Sequence, residues 1–239
     1  MHVDVIIPAL DEAAAIGQVV QAIPCPPVRD IIVVDNGSRD ATAQTAAAAG
    51  ARVINEPRRG YGSACLAGIA TLQPDVDIVV FLDADGSDDP TQLPNLLSPI
   101  ERGDAQLVVG SRTLGINEPG ALTMQQRIGN AIASAWLRRR FHLQATDLGP
   151  FRAIRADSLR ALKMVDRGYG WTVEMQIKAA RLGLDYAEIP ATYRKRLGRS
   201  KVSGTLRGVL GATYKILGLL AYYDLAQPSE IAGQKSSSR

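Results

Sequence analysis

Two carboxylates stand one residue apart in the segment FLDADGSDDP, residues 81–90, directly after an unbroken apolar run. Such a run is typical of a buried strand, and carboxylates at its end are costly to bury unless a cation neutralises them. A Mg²⁺ or Mn²⁺ ion that holds a diphosphate would supply this charge. Asp83 and Asp85 are therefore candidate metal ligands. Asp88 and Asp89, by contrast, can be explained as caps of the helix that follows.

A third carboxylate, Asp35, ends another apolar run in the segment VVDNGSRDAT, residues 33–42. At the carboxyl end of a strand beside the metal site, it could accept hydrogen bonds from a nucleobase. The segment RRGYGSA, residues 58–64, leads into a helix and could bring backbone N–H groups close to a nucleotide. A dinucleotide fingerprint would need a third glycine where Leu66 stands, so NAD binding is disfavoured.

The scarcity of cysteine and histidine excludes several other chemistries. Cys25 and Cys65 form no CxxC motif, and the chain has only two histidines, so a structural zinc site is implausible. His142 lies in a basic run and is a poor partner for a nucleophilic Ser or Cys. Catalysis must therefore depend on carboxylates, cations or a hard metal ion.

Strand-like and helix-like segments alternate through the first 120 residues, which is typical of βαβ units. Strands are predicted at 3–7, 31–34, 52–54, 78–82 and 107–109, and helices at 13–23, 41–49, 62–72 and 91–102. Their apolar runs predict a parallel sheet covered on both faces, with a ligand at the carboxyl ends of its strands. Further helices are predicted at 123–141, 157–165 and 173–182, and strands at 151–154 and 186–189. With 239 residues, the chain is predicted to form one α/β domain with a modest appendage.

Charge is unevenly distributed, although the formal net charge is only +3. Residues 1–120 hold 16 acidic and 7 basic side chains, whereas residues 121–239 hold 8 acidic and 20 basic ones. Between residues 189 and 223 there are seven basic side chains and no acidic one. This segment suits phosphates or an anionic membrane surface, and a solvated basic face is the alternative.

The last apolar segment is too interrupted to span a membrane, since its longest apolar stretch is eight residues and spanning needs roughly 20. We expect an amphipathic helix over 206–226 that lies in a membrane interface, forms an oligomer contact or packs on the protein's own core. The polar tail 227–239 is expected to be disordered. Because the opening segment is strand-like and does not resemble a signal peptide, we expect a cytoplasmic location. This expectation includes peripheral attachment to the inner face of the membrane.

Taken in order, the motifs resemble those of family 2 glycosyltransferases with the glycosyltransferase A fold, and in particular the polyprenyl-phosphate (dolichyl-phosphate) mannosyl- and glucosyltransferases. The matching segments are IIPALDE, VVDNGS, GYGSA, DAD, GSR, RIGN, GPFRAIR, WTVE and RLGRSK. The resemblance implies a catalytic domain over residues 1–205, with a nucleotide-binding, Rossmann-like and mostly parallel sheet covered by helices.

The resemblance also implies roles for individual residues. Those that would line the nucleotide are Pro8, Ala9, Glu12 and Asp35, and Gly62 of the glycine segment is a further substrate-binding candidate. Those that would bind the metal and the donor diphosphate are Asp83 and Asp85. Phosphates would be held by Arg112 and Arg127 on the acceptor and by Arg199 on the donor. The remaining substrate-binding candidates are Asn130, Ser200, Lys201 and Trp171, the last of which could stack on the sugar or lie in the core.

Three positions depart from the family pattern. Ser87 replaces a Gln that often contacts the metal, Arg58 replaces an Asn before the glycine segment, and Asp11 replaces an Asn in the first motif. These changes concern the identity of the donor more than the fold.

The nature of the acceptor decides whether a catalytic base is needed. A phosphate monoester, with a second pKa of about 6, is mostly a dianion at neutral pH and could attack the anomeric carbon unaided. Glu174 stands where relatives with hydroxyl acceptors carry a catalytic Asp, so it is either a base or a residue that orients Arg or Lys partners. The catalytic candidates are thus Asp85, Arg199 and Glu174.

The expected activity is metal-dependent, inverting transfer of a hexose from a nucleotide sugar of the UDP-glucose or GDP-mannose type to a polyprenyl phosphate at the cytoplasmic membrane face. The expected partners are these two substrates and a membrane surface, with no nucleic acid and with an oligomer left open. One alternative is a transferase with a soluble hydroxyl or phosphorylated acceptor. Another is a non-catalytic protein that binds a membrane surface.

Overall fold

Strands and helices alternate along the first half of the chain, as the sequence predicts. The computed structural model describes residues 1–197 together with residues 218, 222 and 223. The first elements are β1 (Val3–Ala9), α1 (Ile16–Ala22), β2 (Val28–Asp35), α2 (Thr42–Ala48), β3 (Arg52–Asn55), α3 (Tyr61–Ala70) and β4 (Ile78–Phe81). Their apolar residues are buried on both sides of the strands, since every residue of β4 is buried.

The second half contains longer connections between its elements. These elements are α4 (Leu93–Glu101), β5 (Leu107–Ser111), α5 (Met124–Phe141), β6 (Arg152–Arg155), α6 (Ala156–Leu162), α7 (Trp171–Arg181) and β7 (Tyr186–Pro190). The helix predicted at 91–102 is divided, because a 3₁₀ turn over Pro90–Gln92 precedes α4. Asp89 caps this turn by accepting a hydrogen bond from the backbone N–H of Thr91, which confirms its predicted capping role. The same prediction for Asp88 is wrong, because its carboxylate is directed to the backbone N–H of Asp83.

The strands form a seven-stranded sheet in the order β3-β2-β1-β4-β6-β5-β7. All neighbouring pairs are parallel except those of β6, which is antiparallel to both β4 and β5. Just before β6, Gly149 packs so closely on the Gly110 carbonyl that a Cβ there would lie 2.4 Å from the oxygen. The chain thus re-enters the sheet at the carboxyl end of β5, and β6 runs in the opposite direction to its neighbours. The prediction of a mostly parallel sheet is confirmed, with β6 as the antiparallel strand.

Helices cover both faces of the sheet, as predicted. One apolar cluster contains side chains of α1, α2 and α4, and a second contains those of α3, α6 and α7. A third, smaller cluster joins α5 to α7 through Ala133, Leu137, Val173 and Ile177. Burial of these apolar side chains, worth roughly 25 cal/mol for each Å² removed from water, stabilises the two layers against the sheet.

Tyr223, in the C-terminal part of the chain, packs on the domain. Its side chain is buried in the α5–α7 cluster, its hydroxyl lies 3.3 Å from Glu174 Oε1, and its carbonyl accepts a hydrogen bond from Arg181. At this residue the predicted segment 206–226 packs on the protein's own core. The other residues of that segment except 218 and 222, and the tail 227–239, lie outside the described residues. Within the part of the chain that the structure describes, no helix combines the length and the hydropathy needed to cross a membrane.

Candidate active site

A cleft of about 420 Å³ opens at the carboxyl ends of β1 and β4. It brings together five of the predicted nucleotide and metal residues, namely Pro8, Ala9, Glu12, Asp83 and Asp85. The wall is completed by Leu10, Asn36, Arg59, Gly60, Tyr61, Ala64, Ala84, Tyr169 and Arg196. Asp35 lies at the same edge of the sheet, paired in register with Ala9, and its Oδ1 accepts a hydrogen bond from Ser38 N at 3.0 Å.

Asn36 fixes the loop that forms one wall of this cleft. Its Nδ2 donates to the carbonyls of Glu56 and Arg58 at 2.9 and 2.8 Å, and its Oδ1 accepts from Gly60 N at 2.8 Å. Gly60 has a φ of +137°, which only glycine adopts readily. The side-chain amide of Asn36 therefore holds this turn in place, a role that the sequence did not reveal.

Gly62 packs against a loop instead of presenting its N–H to the cleft. Its N–H donates to the Gly168 carbonyl at 3.2 Å, and a Cβ at this position would lie 2.0 Å from the Asp166 carbonyl oxygen. The expectation that this N–H contacts a nucleotide is thus replaced by a packing role, because the amide is already used.

The acidic loop after β4 is held by hydrogen bonds within itself. Asp85 Oδ1 accepts from Ser87 N at 2.9 Å and from Ser87 Oγ at 2.5 Å. Asp88 Oδ2 lies 3.4 Å from Asp83 N, so its carboxylate faces inward at the base of the loop. The second carboxylate oxygen of Asp85, Oδ2, lies 3.3 Å from Arg196 Nη1. This loop geometry leaves carboxylate oxygens directed toward the cleft.

Burial and mutual repulsion shift the ionisation of these carboxylates. Burial, and then the charge of Asp85, raises the pKa of Asp83 to about 7. Burial, and then the charges of Asp83 and Asp85, raises the pKa of Asp88 well above its ordinary value. The cluster therefore contains more negative charge than its surroundings compensate, which a bound cation would correct.

The oxygen donors of this loop suit a divalent metal that is shared with a substrate. Among residues 1–197, 218, 222 and 223, no group of three or more His, Cys, Asp or Glu side chains is placed to hold a metal ion. Mg²⁺ is commonly held by one or two carboxylates together with substrate phosphates, and Asp83 and Asp85 would supply that pair.

The raised pKa of Asp83 predicts a pH-dependent loss of stability. Between about pH 4 and pH 7 the folded protein keeps a proton that the unfolded chain releases, so the free energy of unfolding falls as the pH rises through this range. Asp83→Asn carries no charge and should raise the free energy of unfolding of the metal-free protein by about 1–2 kcal/mol at about pH 8, with less gain at about pH 5. Urea unfolding in EDTA measures this, and an equal effect at both pH values would contradict it.

Arg196 is a cleft residue that the sequence argument did not single out. Its Nη2 donates to Glu12 Oε1 at 2.7 Å, and its Nη1 lies 3.3 Å from Asp85 Oδ2. The backbone beside it is anchored too, since Leu197 N donates to the Asp85 carbonyl and Arg194 N to the Ser87 carbonyl. Arg196 belongs to the segment RLGRSK, for which the resemblance implies a role for Arg199, and a single sequence gives no means of ranking two arginines of one motif.

Three predicted residues cannot be placed, because Arg199, Ser200 and Lys201 lie outside the described residues.

A second cavity, also of about 420 Å³, holds the predicted acceptor residues Arg112, Arg127 and Asn130. Its other lining residues are Thr113, Asn117, Leu122, Gln126, Ala131, Ser134, Arg138, Thr146 and Asp147. Asn130 fixes the wall: its Oδ1 accepts from Leu148 N at 2.9 Å and its Nδ2 donates to the Thr146 carbonyl at 3.1 Å. We call this cavity the arginine pocket.

Arg112 is locked in place by a buried carboxylate. Its Nε and Nη2 donate to Asp147 Oδ2 and Oδ1 at 2.8 and 2.6 Å, and its backbone N–H donates to Oδ2 at 2.7 Å. The Asp147 side chain is 1% exposed, and that of Arg112 is 14% exposed. Burial alone would lower the pKa of Arg112, but the charge of Asp147 and its hydrogen bonds hold this pKa above its usual value. Arg112 is therefore a permanently charged, rigidly oriented group.

Tyr193 connects the arginine pocket to the acidic loop. Its backbone forms bridges with both Asp88 and Asn117, and Arg112 Cζ lies 5.1 Å from the centre of its ring. The charge of Arg112 also acts to lower the pKa of both Asp83 and Asp88. The two cavities are thus neighbouring parts of one site.

Glu174 is fully buried in α7 and lines neither cavity. Its carboxylate accepts hydrogen bonds from Val165 N and Asp166 N at 3.0 and 2.7 Å, and pairs with Lys178 Nζ at 2.7 Å. These contacts fit the alternative that it orients a Lys partner, and they speak against its assignment as a base, because the carboxylate is buried and faces neither cavity.

Trp171 is also fully buried, with its ring edge to face against Phe81 at 5.8 Å. This places it in the core, so the structure corrects the suggestion that it stacks on a sugar. Both Glu174 and Trp171 belong to the buried side of α7.

Glu174→Gln should therefore reduce stability rather than chemistry. The change leaves the Lys178 ammonium without its buried partner and should lower the free energy of unfolding by about 3 kcal/mol. The pH dependence of kcat in the folded fraction should stay that of the wild type. Urea unfolding and a pH–rate profile test this, and a variant of full stability with no activity would restore Glu174 as a base.

Comparison with known proteins agrees with this geometry. The sequence model of the family Glycosyl transferase family 2 matches residues 4–163. The chain is 41% identical over 209 residues to an uncharacterized glycosyltransferase of Mycobacterium tuberculosis, which covers 86% of this chain and 92% of that protein. It is 35% identical over 244 residues to the undecaprenyl-phosphate mannosyltransferase of Micrococcus luteus, with 94% and 97% covered.

A solved structure extends the likeness to the fold. It is the glucosyl-3-phosphoglycerate synthase of Mycobacterium tuberculosis in complex with Mn²⁺, UDP-glucose and phosphoglyceric acid, with a TM-score of 0.74, 27% identity, and 95% of this chain and 81% of that one covered. The predicted glycosyltransferase A fold is thereby confirmed. Because the family match spans more than half of the sequence, the chain belongs to glycosyl transferase family 2.

Proposed function

We propose that this protein transfers a hexose from a nucleotide sugar to a polyprenyl phosphate. The observation that carries the proposal is the arginine pocket beside the acidic loop, with Arg112 held rigidly by Asp147. A guanidinium group fixed in this way is suited to bind phosphate oxygens in a defined orientation. The name of the Micrococcus luteus relative supports a lipid phosphate as the acceptor and mannose as the hexose.

The first cleft would bind the donor. Pro8, Ala9, Glu12 and Asp35 would line the nucleotide, and Asp83 and Asp85, together with the donor diphosphate, would hold Mg²⁺ or Mn²⁺. When bound, the metal neutralises the charge that develops on the departing nucleoside diphosphate. Arg196, held by Glu12 and Asp85, would lie beside the same diphosphate, where Arg199 is also predicted to act.

The second cavity would bind the acceptor phosphate through Arg112 and Arg127. As a dianion at neutral pH, this phosphate can attack the anomeric carbon without a base, which agrees with the burial of Glu174. Arg112 would orient the attacking oxygen on the face opposite the leaving diphosphate, so the sugar carbon is inverted. The reaction would take place at a membrane surface, on its cytoplasmic face.

A second candidate acceptor is a soluble phosphorylated compound. The solved neighbour was crystallised with phosphoglyceric acid as well as UDP-glucose. The arginine pocket would recognise a phosphate group whether it is attached to a lipid or to a small acid. The acceptor's non-phosphate part must therefore distinguish the two candidates.

Transfer of radiolabel tests both candidates directly. Labelled GDP-mannose and UDP-glucose are incubated with the protein and Mg²⁺ or Mn²⁺, with polyprenyl phosphate or phosphoglyceric acid as acceptor. We expect label in an organic-extractable product only when polyprenyl phosphate and a metal are present. Label in a water-soluble product with phosphoglyceric acid would support the second candidate and reject the lipid acceptor.

A further inference from the structure

Two neighbouring tyrosines in the C-terminal part of the chain differ in their surroundings. Tyr222 is 55% exposed, whereas Tyr223 is 5% exposed and packs in the α5–α7 cluster. The Cζ atom of Arg181, at the end of α7, lies 5.3 Å from the centre of the Tyr223 ring, which is a cation–π contact. Arg181 also donates a hydrogen bond to the Tyr223 carbonyl. Both the ring and the backbone of Tyr223 are thus held by α7.

The hydroxyl of Tyr223 contacts a charged group inside the domain. It donates a hydrogen bond to Glu174 Oε1 at 3.3 Å. Because Glu174 is fully buried, this contact is sheltered from water, and a hydrogen bond to a carboxylate is stronger than one between neutral groups. Burial, and then the charge of Glu174, raises the pKa of Tyr223 above its ordinary value. The hydroxyl therefore keeps its proton and remains a donor at neutral pH.

The same carboxylate holds the loop between α6 and α7, residues 163–170, which we call the cleft loop. Glu174 Oε1 accepts a hydrogen bond from Val165 N at 3.0 Å, and its Oε2 accepts one from Asp166 N at 2.7 Å. One buried side chain thus joins Tyr223 to the start of the cleft loop.

The end of the cleft loop forms part of the first cleft, in which we place the donor. Tyr169 lines this cleft and is 44% exposed. The residues on either side of it are held by Asp166, whose Oδ1 accepts hydrogen bonds from Gly168 N and Gly170 N at 2.7 and 3.2 Å. The position of Tyr169 in the cleft wall therefore depends on the backbone at Asp166, which Glu174 holds in turn.

The cleft loop also supports the glycine turn that leads into α3. Gly62 N and Ser63 N donate to the carbonyls of Gly168 and Arg167 at 3.2 and 3.0 Å. A Cβ on Gly60 would lie 2.0 Å from the Arg167 carbonyl oxygen, so the turn and the loop are in close contact. A displacement of the cleft loop would therefore change two parts of the cleft wall.

We propose that Tyr223 is a positioning residue that holds the cleft loop, through Glu174, in the shape that binds the donor. Tyr223 lines neither cavity, so its effect on binding must pass through the loop. The inference rests on the proposed function for the identity of the ligand, a nucleotide sugar. It extends that function by giving the C-terminal part of the chain a role in donor binding, although the segments that match the family end at residue 201.

Single substitutions in the full chain test the proposal. Tyr223→Phe removes the hydroxyl and keeps the ring, and Tyr223→Ala removes both. Tyr222→Phe and Tyr222→Ala are the matched controls, because they make the same changes at the exposed neighbour. Leu137→Ala is the control for stability, since it removes a buried side chain that α5 contributes to the same cluster.

Amide hydrogen exchange of the metal-free protein shows whether the cleft loop is loosened. We expect exchange at residues 163–170 to be about threefold faster in Tyr223→Phe and about tenfold faster in Tyr223→Ala, with a smaller change in β4. The Tyr222 variants should exchange like the wild type, and Leu137→Ala should affect the loop no more than β4. Unaltered exchange in the loop of Tyr223→Ala would overturn the proposal, and so would equal acceleration of the loop and β4.

Calorimetry with GDP or UDP and Mn²⁺ measures the effect on the donor site. The Kd of the nucleotide that the wild type binds should rise about threefold in Tyr223→Phe and about tenfold in Tyr223→Ala. The KM for the acceptor and the kcat at saturating donor should stay those of the wild type. An equal rise of the Kd in Leu137→Ala would reduce Tyr223 to a merely structural residue and overturn the proposal.

The exchange experiment also separates this inference from the proposed function. If the wild type binds neither nucleotide, the proposed function fails, and the exchange of residues 163–170 alone decides whether Tyr223 holds the cleft loop. If the wild type binds a nucleotide and all the Tyr223 variants bind it equally well, the proposed function stands and the positioning role is rejected.

Discussion

Asp85→Asn is expected to lower kcat for hexose transfer by about a thousandfold or more, while the protein folds as the wild type does. The substitution removes a charge and keeps the shape of the side chain. Loss of a group that holds a metal or a developing negative charge in an active site typically costs several kcal/mol of transition-state stabilisation. The amide oxygen can still accept the hydrogen bonds of Ser87, so the loop should keep its conformation.

The contacts of Asp85 explain why its substitution should reduce activity more than substitution of Asp83, the other candidate metal ligand. Asp85 uses Oδ1 within the loop and directs Oδ2 to the cationic side of the cleft, near Arg196. Asn cannot offer a second anionic oxygen there. Its Nδ2 would also face the guanidinium of Arg196, and two donors would then oppose each other. Both the metal and the arginine should therefore be held less well.

Asp89→Asn is the matched control, because Asp89 is a buried carboxylate four residues away that caps a turn and pairs with Arg194 at 2.5 Å. This control should lose at most about 1–2 kcal/mol of stability and keep activity within severalfold. The measurement is radiolabel transfer at saturating Mn²⁺, with circular dichroism to verify folding. Comparable activity in Asp85→Asn and the wild type would sink the assignment of the acidic loop as the catalytic centre.

The sequence was most informative where one physical rule determines the structure. Short unbroken apolar runs such as Ile78–Phe81 are typical of strands covered on both faces, and the polar residues that follow parallel strands meet at one edge of the sheet. This rule placed Asp83 and Asp85 at the same edge as Asp35, and the structure has all three there, whereas Glu12, which lines the same cleft, was implied by the family resemblance alone. The reversal of β6 was not predictable, since strand direction depends on where the chain re-enters the sheet.

The sequence was least informative on α7. Glu174 and Trp171 are polar or aromatic residues near the start of a helix, a pattern that fits a site as well as a core. The neighbouring loop assigns Glu174 to the core, because the N–H groups of Val165 and Asp166 need a hydrogen-bond acceptor and the Glu174 carboxylate provides it. The same holds for Asp147, whose importance depends on a contact with Arg112 across 35 positions. Long-range pairs of this kind have no signature in a single sequence.

The pairing of Arg112 with Asp147 leads to the second large effect. Arg112→Gln should lower kcat/KM for the polyprenyl phosphate by about a hundredfold or more, because a charge-assisted contact with phosphate is lost. Donor binding, measured by calorimetry with the nucleoside diphosphate and Mn²⁺, should change little, since Arg112 lines the other cavity. The exposed Arg102→Gln serves as the matched control and should behave like the wild type.

A double-variant cycle then shows whether Asp147 acts through Arg112. In Arg112→Gln the Asp147 carboxylate is left buried without its cation, which should lower stability by about 3 kcal/mol, and Asp147→Asn added to it should restore part of that loss. Asp147→Asn alone should raise KM for the acceptor, because Arg112 loses its fixed orientation. The double variant should be no less active than Arg112→Gln, since a positioning residue has nothing to position once its arginine is gone. Additive losses of activity would instead mean that Asp147 contacts the acceptor itself.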